Sequence, residues 1–350
     1  MPGGDQSLTS EQGRRDAGVS IKDVARRASV SIATVSRVLN NPGMVAPSTA
    51  ERVQSAIDQL RYRPNRFAQG LVTRRSRVIG ISLPDLHGEF YAELMHRADN
   101  RAEELGYHLL VSSGAHRPSS AAPSGVALDL MDGLVTMVTE DDVSDLDRLV
   151  TLGLPVAVLG APVGDRRLDS ITIDNRAGAR EAAEHLLAGT PAARCWFVGG
   201  HRGNIDSDER ASAFERVLHG VGVDDPTAHV CRGEFTVEWG RVWAEGMIRA
   251  GALHGSGVLA GNDEIAVGIV DAARDAGISV PEGLRIVGFD DSRLCAMLRP
   301  TLSSVRVPIR EAGIAAVDAV IRRLGDSDSV PVRRTFTTSL VVRDSSRIVR

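Results

Sequence analysis

Residues 20–40 read SIKDVARRASVSIATVSRVLN and decide the fold of the N-terminal part of the chain. The first half is a short amphipathic helix, because Ser20 and Asp23 have the spacing of a capping box. Its apolar side chains recur at helical spacing, at Ile21, Val24, Ala25 and Ala28. Ser29 and Val30 then make a turn, and Ser31 is placed to cap a second helix.

The second helix has Val35, Val38 and Leu39 on its inner face, and an Asn-Asn-Pro-Gly run at residues 40–43 stops it. A third helix is expected to open at Ser48, with one apolar side formed by Ala50, Val53, Ile57 and Leu60. Two short helices on a tight turn, closed by a third, predict a helix-turn-helix whose second helix enters the major groove of DNA.

The outward face of the second helix supplies the candidate contacts to DNA. Arg37 can donate two hydrogen bonds to a guanine, Thr34 and Ser36 suit phosphates, and the apolar residues can touch a thymine methyl. A solvated helix face is an equally good interpretation of so short a pattern. The residues predicted to contact DNA from this helix are Ser31, Ile32, Ala33, Thr34, Ser36, Arg37 and Asn40.

Charge is divided unevenly along the chain. Residues 18–77 contain eleven basic and three acidic side chains, a net charge of +8. The whole chain carries −4 and residues 1–17 carry −1, so −11 is left for the remainder. A basic N-terminal region on an acidic body directs one end of the protein toward the phosphate backbone.

The composition bounds the class of protein. A chain of 350 residues that is 43% hydrophobic and 25% charged can form two or three globular units, which excludes a disordered or fibrous protein. No apolar run of about 18 residues or signal-like N-terminus is seen, so we expect a cytoplasmic protein without a membrane partner. The widely spaced Cys195, Cys231 and Cys295 indicate neither a disulfide framework nor a zinc site. No cofactor is predicted.

Residues 21–43, followed by Arg61-Tyr-Arg-Pro-Asn65, resemble the start of the LacI/GalR repressor family. The resemblance implies a sequence-specific DNA-binding regulator. Ser29 departs from the family pattern, which usually has glycine in this turn. A serine in the left-handed conformation costs on the order of 1 kcal/mol, so the head loses some stability and keeps its fold.

The resemblance also implies that residues 65–72 form a hinge helix that folds only on DNA. Two copies of this hinge push a leucine into the minor groove, and Leu71 occupies that position. Asn65, Arg66 and Ala68 are the other hinge residues expected at the DNA. A plain linker anchored by Leu71 is the alternative, because the segment is too short to be a stable helix alone.

From Val78 onward, short apolar runs alternate with amphipathic helices, the pattern of parallel sheets covered on both faces. The expected strands are 78–83, 108–112, 133–138, 156–159, 195–199, 257–260, 285–289 and 339–342. The expected helices include 89–105, 176–187, 263–276 and 309–324. Two such sheets predict two lobes, with a ligand cleft at the carboxyl ends of the strands.

This part of the chain resembles the periplasmic-binding-protein type of sensor that the same family carries. Matching stretches include Gly261-Asn-Asp263, Val287-Gly-Phe-Asp-Asp291 and Arg299-Pro-Thr-Leu302. The resemblance implies five ligand-binding side chains, which are Phe90, Arg210, Phe235, Asn262 and Asp290.

The chemistry of these side chains suits a sugar-like polyhydroxyl ligand, and a purine stays open as an alternative. Arg210 and Asp290 can each make two charge-assisted hydrogen bonds to neighbouring hydroxyls, and we expect them on different crossings of one cleft. A surface ion pair is the other interpretation of these two. Phe90 and Phe235 can stack on a ring, although core packing explains them nearly as well. Asp174 is expected to cap the helix that follows it.

Two further departures from the family pattern concern packing. Residues 119–125 read SSAAPSG where the family has a regular helix, so this helix is shortened or replaced in a lobe that contributes to the family's dimer interface. Ala213 stands where the family usually has glycine, which alters helix packing and not the ligand contacts.

Two other classes of protein compete with a regulator. An enzyme could draw on His87, Asp174, Glu184 and His185, but no catalytic motif brings them together. A free solute-binding protein is excluded by the helix-turn-helix and the missing signal peptide. The prediction is a ligand-responsive regulator, most simply a repressor, that binds a near-palindromic operator as a homodimer. A tetramer is not expected, because no C-terminal heptad extension is seen. Whether the ligand releases the protein from DNA or holds it there stays open.

The predicted fold class is an all-α helix-turn-helix headpiece plus an α/β sensor with two doubly wound parallel sheets. The expected boundaries are a disordered tail at 1–18, the DNA-binding domain at 19–63, the hinge and linker at 64–77 and the sensor at 78–345.

Overall fold

The structure is a computed structural model that describes residues 19–40, 42–62, 75–113, 128–138, 146–147, 150–151, 153–164 and 167–348. The chain divides into two compact units between Ser76 and Arg77. We call the first unit the head and the second the sensor. The expected tail and the altered segment 119–125 lie outside the described residues.

The described part of the head contains three α-helices, α1 (Ile21–Ala28), α2 (Ile32–Asn40) and α3 (Pro47–Leu60). They bury one side chain each at 0% exposure, Val24, Val35 and Val53, in a common core. The prediction that α3 opens at Ser48 was wrong by one residue. Pro47 is the first helical residue, where its missing N–H and fixed φ fit the helix start, and Ala46 precedes it.

Local hydrogen bonds set the helix-turn-helix geometry as predicted. The Asp23 carboxylate accepts hydrogen bonds from the Ser20 N–H at 3.0 Å and the Ser20 hydroxyl at 2.6 Å. Ser29 ends α1 with φ 54°, the left-handed conformation. Ser31 caps α2, since its Oγ accepts a hydrogen bond from the Thr34 N–H at 3.1 Å.

The described part of the sensor forms two six-stranded sheets. Their strands are β1 (Val78–Leu83), β2 (His108–Ser113), β3 (Gly133–Met137), β4 (Val156–Leu159), β5 (Asp169–Ile173), β6 (Cys195–Gly199), β7 (Val230–Arg232), β8 (Ser256–Ala260), β9 (Leu284–Asp290), β10 (Ser303–Arg306), β11 (Arg333–Phe336) and β12 (Ser339–Val341). The sheet of the first lobe has the order β11-β5-β4-β3-β1-β2, and that of the second lobe has β12-β10-β9-β8-β6-β7.

The chain passes between the lobes three times, after β5, β10 and β11. Every strand pair is parallel except β10 with β12, which is antiparallel. The second sheet therefore differs from the prediction of a fully parallel sheet at this one edge strand. Parallel pairing brings the carboxyl ends of the strands to one edge of each sheet.

Seven helices of the sensor are described. They are α4 (Gly88–Glu104), α5 (Asn175–Leu187), α6 (Ile205–Gly220), α7 (Val237–Arg249), α8 (Asp263–Asp275), α9 (Leu294–Met297) and α10 (Ile309–Gly325). Helices α4 and α10 cover one face of the first sheet. Helices α5 and α6 cover one face of the second sheet, and α7 and α8 cover the other.

The eight predicted strands and four predicted helices of the sensor are confirmed to within one residue at each end. The structure adds β5, β7, β10 and β11, which the sequence did not predict. Asp174 caps α5 as expected, because its Oδ1 accepts a hydrogen bond from the Ala177 N–H at 3.0 Å. Cys195 and Cys295 are buried and Cys231 is half-buried. In the described ranges, every helix is too short or too polar to cross a membrane.

Candidate functional site

Helix α2 presents a mixed apolar and polar surface to solvent. Ile32 is 44% exposed although it is a large apolar side chain, and Ala33 and Arg37 are exposed beside it. Thr34 and Ser36 are half-buried. Core packing does not explain an isoleucine this exposed, and beside an exposed arginine it is free to contact a base edge.

Two of the predicted α2 residues have a different standing. Ser31 is exposed, but its hydroxyl already caps the helix and lies 2.9 Å from the Thr34 hydroxyl. Asn40 is the last residue of α2, and only its backbone is described. The hinge residues Asn65, Arg66, Ala68 and Leu71 also lie outside them.

The basic side chains of the head all point to solvent in its described part. The seven residues are Lys22, Arg26, Arg27, Arg37, Arg52, Arg61 and Arg75. Their charges are available to phosphates at little desolvation cost, in contrast to the buried charges of the sensor.

The sensor contains a cavity of about 620 Å³ at the carboxyl ends of its strands. The first lobe contributes the loop after β1 and the first turn of α4. The second lobe contributes the segments that follow β6, β7, β8 and β9. All five predicted ligand residues line this one cavity, which are Phe90, Arg210, Phe235, Asn262 and Asp290.

Arg210 lies on α6 and is 4% exposed. Its Nε donates to Asn175 Oδ1 at 2.8 Å, and its Nη1 donates to the Gly261 carbonyl at 2.6 Å. The guanidinium also lies over the Phe289 ring, 3.8 Å from the centroid. These contacts fix the plane of the fork and leave Nη2 facing Asp290.

Asp290 ends β9 in an unusual backbone conformation, with φ 106°, and Asp291 follows with φ 54°. The Asp290 side chain is 14% exposed, and its Oδ1 is 4.0 Å from Arg210 Nη2, which is beyond hydrogen-bond distance. Burial raises the pKa of Asp290 well above its ordinary value, and Arg210 opposes this shift. Strained backbone held at a cleft is typical of functional sites.

The surface ion pair that was the alternative for Arg210 and Asp290 is ruled out, because both side chains are buried. The expectation that they lie on different crossings of the cleft is wrong. Both come from the second lobe, Arg210 after β6 and Asp290 at the end of β9. Contacts from the first lobe must therefore come from other residues, such as Phe90.

Asn262 has a structural task in addition to lining the cavity. Its Oδ1 accepts a hydrogen bond from the Ile265 N–H at 2.9 Å and so caps α8. Its Nδ2 donates to the Phe235 carbonyl at 3.3 Å, which ties the loop after β7 to the start of α8. Phe235 itself packs against Gly200 and lies edge-on to the His201 ring.

Phe90 and Phe235 are each half-buried, which leaves part of each ring open to the cavity. Phe90 makes an edge contact with Tyr91, with 5.2 Å between the ring centroids. Burial raises the pKa of Tyr91, so its hydroxyl stays protonated and able to donate. Each ring therefore packs against the protein and also faces the cavity.

Sequence reasoning missed most of the acidic side chains of the cavity. Asp206 accepts a hydrogen bond from Asn175 Nδ2 at 2.7 Å. Asp263 accepts from the Ser304 hydroxyl at 2.6 Å and the Ser292 N–H at 2.7 Å, and burial raises its pKa to about 6. The signal available was their position in the first turn of a helix that follows a strand.

Two contacts join the lobes across the cavity. Arg293, which follows β9, forms an ion pair with Glu89 in the first turn of α4, at 2.8 Å. Glu264 of α8 reaches the backbone of Gly88, where an added Cβ would lie 2.6 Å from Glu264 Oε1. Gly88 has φ 86°, a conformation that favours glycine.

A helix-turn-helix head joined to a two-lobed sensor with an interlobe cavity defines a ligand-responsive, DNA-binding transcriptional regulator. Residues 20–65 match the family of bacterial regulatory proteins, lacI family, and residues 170–346 match the periplasmic binding protein-like domain. The chain belongs to the lacI family. This family consists of transcriptional regulators and not of enzymes.

Curated relatives resemble the chain over most of its length. Catabolite control protein A of Priestia megaterium is 31% identical over 304 residues, which cover 85% of this chain and 90% of the relative. The HTH-type transcriptional regulator DegA of Bacillus subtilis is 31% identical over 300 residues, 84% of this chain and 88% of the relative.

Solved structures share the fold of both units. The lac repressor dimer bound to operator and the anti-inducer ONPF is 25% identical and covers 94% of this chain and 99% of its own, with a TM-score of 0.82. The complex of the transcriptional regulator CelR with cellobiose is 25% identical and covers 93% of this chain and 99% of its own, with a TM-score of 0.67.

Proposed function

We propose that this regulator is a repressor that binds a near-palindromic operator as a homodimer, and that a sugar-like polyhydroxyl effector in the cavity changes its affinity for DNA. The observation that carries the proposal is the convergence of Arg210, Asp290, Asn262, Phe90 and Phe235 on one cavity of about 620 Å³. Cavities of roughly 300 to 1,000 Å³ hold small organic ligands.

The geometry of Arg210 and Asp290 fits a pair of neighbouring hydroxyls. Their polar atoms are 4.0 Å apart, too far to bond each other, and both face the cavity. One hydroxyl can accept from Arg210 Nη2 while its neighbour donates to the Asp290 carboxylate. Phe90 and Phe235 then lie where the apolar face of a sugar ring can pack.

Two relatives support the assembly and the ligand class. The lac repressor binds operator as a dimer, and CelR binds cellobiose. A dimer presents two copies of α2 related by a twofold axis, so the operator must contain an inverted repeat. Such a protein acts where the DNA is, in the cytoplasm.

We assign the DNA-binding domain to residues 19–63, the hinge to 64–77 and the sensor to 78–345. In the hinge, Leu71 is the candidate wedge at a kinked base step. Leu71→Ala should weaken operator binding more than it weakens binding to random DNA, because only the kinked complex uses the wedge. A circular-permutation gel shift that gives an unchanged bend angle would contradict this role.

Selection of bound duplexes from a random pool tests the DNA half of the proposal. The expected product is an inverted repeat with two equivalent half-sites. A single asymmetric site, or no enrichment, would contradict the dimeric operator. For the ligand half, sugars and nucleobases are titrated calorimetrically into the full chain and its Arg210→Lys variant, which keeps the charge and loses the fork. A ligand that binds both proteins equally does not occupy this cavity.

A further inference from the structure

The charge of the cavity is far from neutral, which a generic sugar site does not require. Of its twenty lining residues, seven are Asp or Glu and one, Arg210, is Arg or Lys. Two histidines, His87 and His201, complete the titratable nitrogen groups of the lining. The inference below rests on the proposed function of this cavity as the effector site.

Several of these carboxylates are already satisfied by the protein. Glu89 is paired with Arg293 at 2.8 Å, and Asp206 accepts from Asn175 at 2.7 Å. Asp85 accepts hydrogen bonds from the His87 ring and the Leu86 N–H, both at 2.6 Å. These groups have partners for their oxygens without any ligand.

Three carboxylates of the lining accept no hydrogen bond from the described residues, and of these Glu234 is exposed to solvent whereas Asp290 and Glu264 are partly buried. Asp290 is 14% exposed and has only the 4.0 Å approach of Arg210, and Arg210 spends its other nitrogens on Asn175 and Gly261. Glu264 receives no hydrogen bond or ion pair from the part of the chain that the structure describes, although it is half-buried against Gly88. A partly buried carboxylate that accepts no hydrogen bond is costly, so Asp290, whose one cation Arg210 is 4.0 Å away, and Glu264 can each gain from a donor supplied by a ligand.

The pKa shifts of Glu264 and Asp290 also reflect the concentration of acidic groups in the cavity. Burial raises the pKa of Glu264, and Asp85 adds to the shift. The pKa of Asp290 is raised first by burial and then, against Arg210, by Asp263, Asp206 and Glu264. Burial and the acidic neighbours therefore disfavour the charged form of each carboxylate, and a cation bound beside them would favour it.

We propose that the effector is a cation, a polyhydroxyl compound that carries an ammonium group, such as an amino sugar. The ammonium binds at Asp290 and Glu264, and the hydroxyls bind at Arg210 and the amide of Asn262. The two phenylalanine rings take the apolar face of the ligand. A neutral sugar would fill the same volume and leave the negative charge of the cavity uncompensated.

Matched pairs of probes test the ligand class by calorimetry with the full chain at pH 6.5. The ammonium members are 6-amino-6-deoxy-D-glucose, D-glucosamine and D-galactosamine, and the neutral members are D-glucose and D-galactose. We expect at least one ammonium compound to bind about tenfold tighter than its neutral partner. Glu264→Gln should remove most of this difference, and Glu282→Gln, which neutralises an exposed glutamate of the same lobe, should keep it.

A neutral sugar that binds as tightly as its amino partner overturns the inference and leaves the proposed function standing. Absence of binding by every amino compound also overturns it. A second measurement needs no ligand. Glu264→Gln should raise the melting temperature of the sensor by about 2 °C or more, because it removes an uncompensated charge, and Glu282→Gln should leave it unchanged. A melting temperature that falls in Glu264→Gln contradicts the premise.

Discussion

Arg37 of the head and Arg210 of the sensor are the arginines proposed to recognise DNA and the effector, but their surroundings are opposite. Arg37 is exposed on α2, whereas Arg210 is 4% exposed and held by Asn175, Gly261 and the Phe289 ring. An exposed arginine can be recruited by DNA at no cost to the fold. A buried arginine makes contacts that stabilise the fold, so its removal should lower the stability of the protein even without a ligand.

The largest expected effect separates these two arginines. Arg210→Ala should lower the free energy of unfolding of the sensor by about 3 to 5 kcal/mol, since it strips partners from Asn175 and the Gly261 carbonyl and leaves Asp290 buried without its cation. Arg37→Ala should change stability by less than about 0.5 kcal/mol. Denaturant unfolding of both variants measures the difference. Equal and small changes would show that Arg210 is not structural.

The next largest effect concerns DNA binding, where substitution of Arg37 in the head is expected to matter more than substitution of Arg210 in the sensor. Arg37→Ala should weaken operator binding by about 1 to 3 kcal/mol and relax the preference at one base pair of each half-site. Arg52→Ala, which removes an exposed arginine from α3, is the control and should weaken operator and random DNA alike. Binding is compared by gel shift on both duplexes at several salt concentrations. Equal losses on both duplexes for Arg37→Ala would refute base readout.

The turn of the head allows a smaller test, about 1 kcal/mol in either direction. Ser29→Gly should stabilise the head, because the left-handed φ of 54° is strained for serine and free for glycine. Ser31→Ala should destabilise it, because it removes the cap on the Thr34 N–H. Hydrogen exchange of the α1 and α2 amides in the full chain reports both changes. A destabilised Ser29→Gly head would contradict the conformation of the turn.

The smallest effect concerns pH in the sensor. Because the pKa of Glu264 is raised in the folded protein, first by burial, the folded state binds its proton more tightly than the unfolded state. Stability from this group is present at low pH and is lost as pH rises above the unfolded value of about 4.3. The Glu264→Gln variant has no carboxyl group at this position, so its stability does not change with the titration of residue 264. The melting temperatures of the variant and the parent should therefore converge near pH 4 and separate toward pH 7, and a constant separation would contradict the shift.

The sequence could predict the elements that depend on local patterns and not those that depend on distant parts of the chain. Strands β1, β4 and β6 consist almost entirely of apolar residues and glycine, so composition located them to the residue. Strand β5 begins with Asp169, which is buried because partners from far along the chain bind it, Arg323 at 2.9 Å, Arg322 at 3.2 Å and the Val332 N–H at 2.6 Å. Strands β7, β10 and β11 are equally short and polar. Their pairing depends on tertiary partners that leave no local pattern.

The sequence predicted the five family-derived residues of the cavity and missed most of its acidic residues. Its five predicted residues came from the family resemblance, and all of them line it. Glu89, Asp206, Asp263 and Glu264 were missed because each lies in the first turn of a helix. Acidic residues at that position are usual, since they complement the helix dipole. Only the folded lobes show that these helix starts converge on one space.

The central claim is that the ligand cavity and the DNA-binding head are coupled, and linkage tests it most directly. The probe with the highest affinity in the matched-pair titrations is titrated into the free full chain and into the chain saturated with operator. Its affinity should differ between the two by about 5- to 150-fold, and operator affinity must change by the same factor when the probe is added. Identical probe affinity with and without operator would contradict the account, because a ligand with no preference between the two states cannot regulate DNA binding.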